Sequence, residues 1–165
     1  MLLDEIESEP EVAVAWLEKI YRRDAARKNF SRDLAEAVAS GSPALEHGGA
    51  WLMRRLVDEK GPLPPADWEL TVDGLAGVRS WVARLLLCQL LAGHPEMTES
   101  APEAIAGFLR ECADGPNIFV RAWAVTAFHA LGKRHRAYGA EAKRCLTKAR
   151  KDPAKSMQAR LRHLT

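Results

Sequence analysis

"NIFVRAWAVTAF", residues 117–128, follows the turn Asp114-Gly115-Pro116 and carries a Val-Arg-Ala-Trp core. Its apolar residues (Ile118, Phe119, Val120, Trp123, Val125, Ala127, Phe128), with Leu131 after them, cover most of a helical circumference. Only Thr126, His129 and Lys133 form a narrow polar strip. Such a helix needs neighbours on more than one side, so the stretch predicts a helix packed within an array. An earlier stretch, "GLAGVRSWVARLLL" at residues 74–87, repeats Val-Arg-x-Trp 42 residues upstream, again after an Asp-Gly pair. A degenerate third copy starts at Asp152-Pro153, where Met157-Gln158 takes the Val-Arg place. An interval near 40 residues, with two helices per unit, is the period of helical repeat arrays.

Outward from these copies the chain reads as all-α. Helix formers dominate, β-branched residues are sparse, and no alternating run suggests a strand. Proline and glycine cut the sequence into segments of single-helix length, which predicts helices near 10–28, 31–40, 43–60, 65–75, 78–92, 101–113, 117–131, 137–151 and 154–164. Pro10, Pro43, Pro65 and Pro102 suit first-turn positions, and Gly41, Gly61, Gly93 and Gly132 suit C-terminal caps.

From about residue 65 to 165 the sequence resembles the HEAT-repeat family, whose units read Asp, a short turn, Val-Arg, then an Ala-rich second helix. The resemblance implies a right-handed α-α superhelix forming a single domain over 1–165, with 1–60 as divergent N-terminal helices and 65–165 as HEAT-like repeats. It also implies hydrogen bonds between stacked repeats from Asp73 with Arg79 and from Asp114 with Arg121, a ladder that ends where Gln158 replaces the Arg. Trp81 and Trp123 are then expected as packing residues beside those arginines. Trp16, Trp51 and Trp68 also read as packing residues, with Trp68, in its Pro-rich turn entry, the one expected to be partly exposed. In the family the second helices line the concave side, which points to Thr126, His129 and Lys133, joined by Ser80 and Arg84 of the preceding unit, as a candidate groove.

A hydrophobic share of 47% with 28% charged residues is ordinary for a globular chain. No stretch approaches the roughly 18–20 apolar residues that cross a membrane, and the acidic start lacks a signal-peptide pattern, so a cytoplasmic protein is expected. Cys88, Cys112 and Cys145 show no CxxC spacing and read as reduced, mostly buried thiols. Charge is uneven. Residues 1–115 hold 12 Lys/Arg against 20 Asp/Glu, whereas residues 116–165 hold 12 against 2. In the 137–151 helix Tyr138, Ala142, Cys145, Leu146 and Ala149 share an apolar arc, and Arg136, Lys143, Arg144, Lys148, Arg150 and Lys151 lie on the opposite, basic face.

No chemistry is written in motifs. The five histidines have no metal-ligand spacing, and nucleophile elbows, P-loops and GxGxxG fingerprints are absent. In "EHGGAW", residues 46–51, two glycines fall where a helix continues, which predicts a kink or a close helix approach. No cofactor and no catalysis are expected. Three readings of the basic face remain: a solvated surface, a surface for an acidic protein or peptide, or a nucleic-acid surface. The second makes the protein a non-enzymatic interaction scaffold. The third makes it a nucleic-acid-binding module, akin in architecture only to the HEAT-like DNA alkylation repair glycosylases. The acidic first part also allows self-association, a homo-oligomer built by charge complementarity.

Overall fold

A computed structural model describes residues 1–164, and every α-helix or 3-10 turn among them is helical with no strand between. The α-helices are α1 (Leu2–Ser8), α2 (Val14–Asp24), α3 (Phe30–Val38), α4 (Pro43–Lys60), α5 (Pro65–Gly74), α6 (Trp81–Gly93), α7 (Pro102–Ala113), α8 (Ile118–Arg134), α9 (Gly139–Ala149) and α10 (Lys155–Leu161). Each of the nine expected helices has a counterpart. The short α1 is additional, its Leu2 and Ile6 buried one turn apart. The chain divides into two compact units, Met1–Leu86 and Leu87–Thr165.

In the first unit α3 packs against α4 and α5, with Leu17, Phe30, Leu34, Leu52 and Met53 in the core. The glycine pair of "EHGGAW" leaves α4 unbroken and serves close packing instead. A Cβ on Gly49 would stand 2.7 Å from Ala37 Cβ and 3.3 Å from Leu34 O, so only glycine lets α4 lie this near α3. Glu46 of the same stretch is wholly buried, and its Oε2 accepts the backbone N–H groups of Arg79 (2.9 Å) and Ser80 (2.7 Å). A carboxylate thus anchors the entry to α6 at the end where the helix dipole favours negative charge.

In the second unit α8 is central and packs against α7, α9 and α10, which explains its apolar circumference. Ala122 and Val125 of α8 share a cluster with Leu146 and Ala149 of α9 and with Met157 and Leu161 of α10. Gly132 is no C-terminal cap, since α8 runs on to Arg134. A Cβ there would lie 2.5 Å from Ala142 Cβ, so Gly132 is where α8 and α9 come closest. Two polar clasps complete the unit. Arg110 of α7 donates through Nε (2.5 Å) and Nη2 (2.9 Å) to the two carboxylate oxygens of Glu141 on α9. The Thr98 hydroxyl donates to Pro95 O (2.6 Å) and meets His135 Nε2 at 2.8 Å.

The internal repeat is real, but its register is not that of Val-Arg-x-Trp. Ser80, Asn117 and Ala154 directly precede α6, α8 and α10, at a constant spacing of 37 residues. Pro65, Pro102 and Gly139, which open α5, α7 and α9, keep the same spacing. Burial follows it too: Trp68, Ile105 and Ala142 are buried, as are Val72, Leu109 and Leu146, and Ala83, Val120 and Met157. Three residues beyond each helix start stand Arg84, Arg121 and Gln158. Each donates to the carbonyl six residues back: Arg84 Nε to Val78 (2.9 Å), Arg121 Nη1 to Gly115 (3.1 Å) and Gln158 Nε2 to Asp152 (2.5 Å). One side chain per repeat thus ties the first turn of the second helix to the loop before it.

The expected Asp73–Arg79 and Asp114–Arg121 links are therefore corrected. Val78-Arg79 sits in the loop, five residues ahead of the position that Val120-Arg121 occupies in α8. Asp73 and the Arg79 side chain are exposed, and no ion pair joins them among the described residues. Arg121 binds the Gly115 and Pro116 carbonyls and reaches Asp152 at 3.5 Å, whereas Asp114 faces Lys148 at 3.4 Å. Trp81, expected to pack, is 52% exposed because it opens α6 instead of lying within it. Trp68 departs in the other direction and is buried.

Candidate binding surfaces of the second unit

The five candidate groove residues do not share one role. Ser80 caps α6, its Oγ accepting the Ala83 N–H at 3.2 Å, and Arg84 is engaged with Val78 O. Thr126 is 8% exposed and donates to Ala122 O at 2.9 Å, so it offers no hydroxyl to a ligand. Only His129 and Lys133, one turn apart on α8, line a cleft. Its other wall is α9, and Lys143, Leu146 and Arg150 complete it around a volume of about 330 Å³. His129 is half-buried. Burial pushes its pKa below the ordinary imidazole value, and the charges of Lys133 and Arg150 push the same way.

The candidate basic face is assembled more fully. Lys143, Arg144, Lys148 and Lys151 line one open concavity of about 490 Å³ along α9 and the turn after it, with Ala140 and Thr147 between them. α9 presents these cations because its opposite side, Ala142, Leu146 and Ala149, is buried against α8 and α10. Among the described residues Lys143, Arg144 and Lys151 have no ion-pair partner, while Lys148 keeps one exposed contact to Asp114. Arg136 is exposed in the 3-10 turn Arg136–Tyr138 before α9 and does not line this concavity. Tyr138 beside it is half-buried and donates its hydroxyl to Glu103 Oε2 at 2.5 Å. That bond raises its pKa.

Cations that look equivalent in sequence thus divide sharply. Arg110 is committed to Glu141, whose pKa it depresses, and Arg134 is committed to Glu99. The Arg160 guanidinium carbon lies over the Trp123 ring, 4.3 Å from its centroid. Trp123 therefore does take a cation–π contact, but from its own chain, as part of the α8–α10 packing. Phe119, expected within the packed circumference of α8, is 54% exposed. It is the second residue of the helix, where its N–H is held by Asn117 Oδ1 and its ring projects beyond the packed turns. Wheel position alone could not show this, because the first turn of α8 has no neighbour on that side.

A third recess, about 490 Å³, lies between the loop at Asp114-Gly115 and the start of α10 and is lined by Arg121, Lys148, Asp152 and Cys145. Its charges are mixed, Arg121 pairing with Asp152 and Lys148 with Asp114, and Lys151 also lies in its lining. The Cys145 thiol is half-buried, and burial raises its pKa, which disfavours the reactive thiolate. Among the described residues no group of three His, Cys, Asp or Glu side chains could hold a metal ion, and no helix is long and apolar enough to cross a membrane. No protein-family model, curated protein or solved structure matches the chain.

Proposed function

We propose that the protein is a non-enzymatic cytoplasmic binding module, an adaptor built of HEAT-like helical pairs, whose second unit receives an acidic protein segment on the cationic side of α9. The observation that carries this reading is the run Lys143, Arg144, Lys148 and Lys151 along one open concavity with no carboxylate in its lining. The 37-residue recurrence of helix starts and turn clasps supports the HEAT-like part of the reading, to which a right-handed superhelix belongs as part of the proposal. Arg144, Lys148 and Lys151 follow one another at helical spacing over roughly 10 Å. An acidic helix with Glu or Asp at the same i, i+4, i+7 spacing matches that pattern.

An acidic protein is favoured over nucleic acid because the concavity contains no aromatic side chain on which a base could stack. Rim ion pairs contribute about 0.2–1 kcal/mol each, so four of them give a weak, fast, salt-sensitive attachment. Fluorescence anisotropy of a labelled acidic helical peptide tests this. Binding is expected at low salt, to weaken steeply above 0.15 M where the Debye length falls to about 8 Å, and to drop at least tenfold in an Arg144→Glu, Lys148→Glu double variant. A variant that binds as well as the parent refutes the assignment. Single- and double-stranded oligonucleotides run alongside, and tighter binding of either one overturns the choice of partner.

A further inference from the structure

The cleft between α8 and α9 is a second feature, which shares Lys143 and Thr147 with the outer concavity of α9 but is not required by the reading above. We propose that this cleft binds a compact tetrahedral oxyanion, a phosphate ion or the phosphate of a small monoester.

Four basic groups converge on it from two helices: His129 and Lys133 of α8, Lys143 of α9 and Arg150 just beyond it. No carboxylate lines it, whereas the neighbouring recess has both Asp114 and Asp152 in its lining. Among the described residues Lys133 and Lys143 have no ion-pair partner, and the His129 ring has no hydrogen-bond partner. Arg150 uses one nitrogen, Nη2, to hold Leu164 O at 2.8 Å, which fixes the guanidinium while leaving its other N–H groups to donate. Such a fork matches phosphate geometry.

The floor is apolar, formed by Ala142 and Leu146, both buried, and by the close contact at Gly132. Charges above an apolar floor are screened less than charges in open solvent, so an anion there gains more from each cation. The volume, about 330 Å³, lies at the small end of ligand clefts, roughly 300–1,000 Å³, which suits a compact ion or a small ester. Burial, with the charges of Lys133 and Arg150, disfavours the protonated His129 ring, and a bound anion would offset the effect of those two charges.

The test follows the His129 ring resonances during titration with inorganic phosphate, and separately with glycerol phosphate, each at constant ionic strength against a chloride control. The expected result is a saturable shift with phosphate and none with chloride, weakened at least fivefold in Lys133→Gln. Lys133 is exposed, so that variant keeps the fold. The Arg144→Glu, Lys148→Glu variant, which abolishes the acidic-peptide site, leaves the phosphate shift within twofold. A phosphate shift equal to that of chloride, or one unchanged by Lys133→Gln, overturns the proposal whatever the peptide experiment returns. Saturation by phosphate alone identifies the free ion, and tighter saturation by glycerol phosphate identifies the monoester.

Discussion

The 37-residue register makes a prediction that the Val-Arg-x-Trp motif contradicts. If the motif marked the repeat, Arg79 and Arg121 would be equivalent, and losing either would cost similar stability. In the structure the counterpart of Arg121 is Arg84, and the Arg79 side chain is exposed. Replacing Arg84 by Met keeps most of the aliphatic stem and removes the Nε bond to Val78 O. Hydrogen bonds to charged groups contribute about 1.5–3 kcal/mol, and a half-buried site argues for the lower end, about 1.5 kcal/mol. For a chain of this size that is a fall in Tm of about 3–6 °C. Arg121→Met loses two carbonyl contacts and the Asp152 pair, and is expected to cost about 2–3 kcal/mol. Arg79→Ala is expected to stay within about 0.5 kcal/mol of the parent. Urea and thermal unfolding followed by far-ultraviolet circular dichroism measure all three. Arg79→Ala and Arg84→Met both lie in the first unit, so their comparison is internal to it. An Arg79→Ala loss equal to or larger than that of Arg84→Met refutes the 37-residue register.

Two glycines give opposite expectations from the same substitution. Gly132→Ala forces a Cβ to within 2.5 Å of Ala142 Cβ and should destabilise by about 1–3 kcal/mol, whereas Gly107→Ala, in α7 with nothing within 4 Å, should stabilise by about 0.5–1 kcal/mol. Thermal melts of the two variants decide, and a shared sign contradicts the packing at Gly132. Asp24 supplies a pH test in the first unit: it is buried, and the Arg23 guanidinium (Nη2 to Oδ2, 2.7 Å) holds its pKa below the ordinary aspartate value. A carboxylate lowered on folding contributes stability that is complete above its unfolded pKa, near 3.9, and is lost as pH falls through the folded value. Asp24→Asn should therefore flatten the decline of the urea midpoint with acid below about pH 4, and an unchanged slope counts against the pairing.

The sequence alone was enough for the helical class, for nearly every helix and for the reversal of charge along the chain. Prolines and glycines punctuate locally, as at Pro43, Pro65 and Pro102, which open α4, α5 and α7 where placed. Side chains at helical spacing sort into faces by geometry that needs no neighbour, so the apolar arc and basic face of α9 were legible before any fold was known. The period near 40 was legible too, but not its register. The identity of Val78-Arg79 with Val120-Arg121 is a resemblance of letters. Which arginine clasps a turn depends on where the helix begins, and buried Glu46, more than thirty residues upstream, helps to set that point at α6.

Pairing was likewise a tertiary matter. Arg110 with Glu141, Arg134 with Glu99 and Lys148 with Asp114 each join residues about one repeat apart, so no local window shows which cations are neutralised. Composition therefore showed a basic end, and only packing separated the spent cations from Lys133, Lys143, Arg144 and Lys151. The cleft between α8 and α9 had no signature at all. It lies beside Gly132, where α8 comes too near α9 to admit a Cβ, a consequence of three-dimensional approach that a linear pattern does not encode.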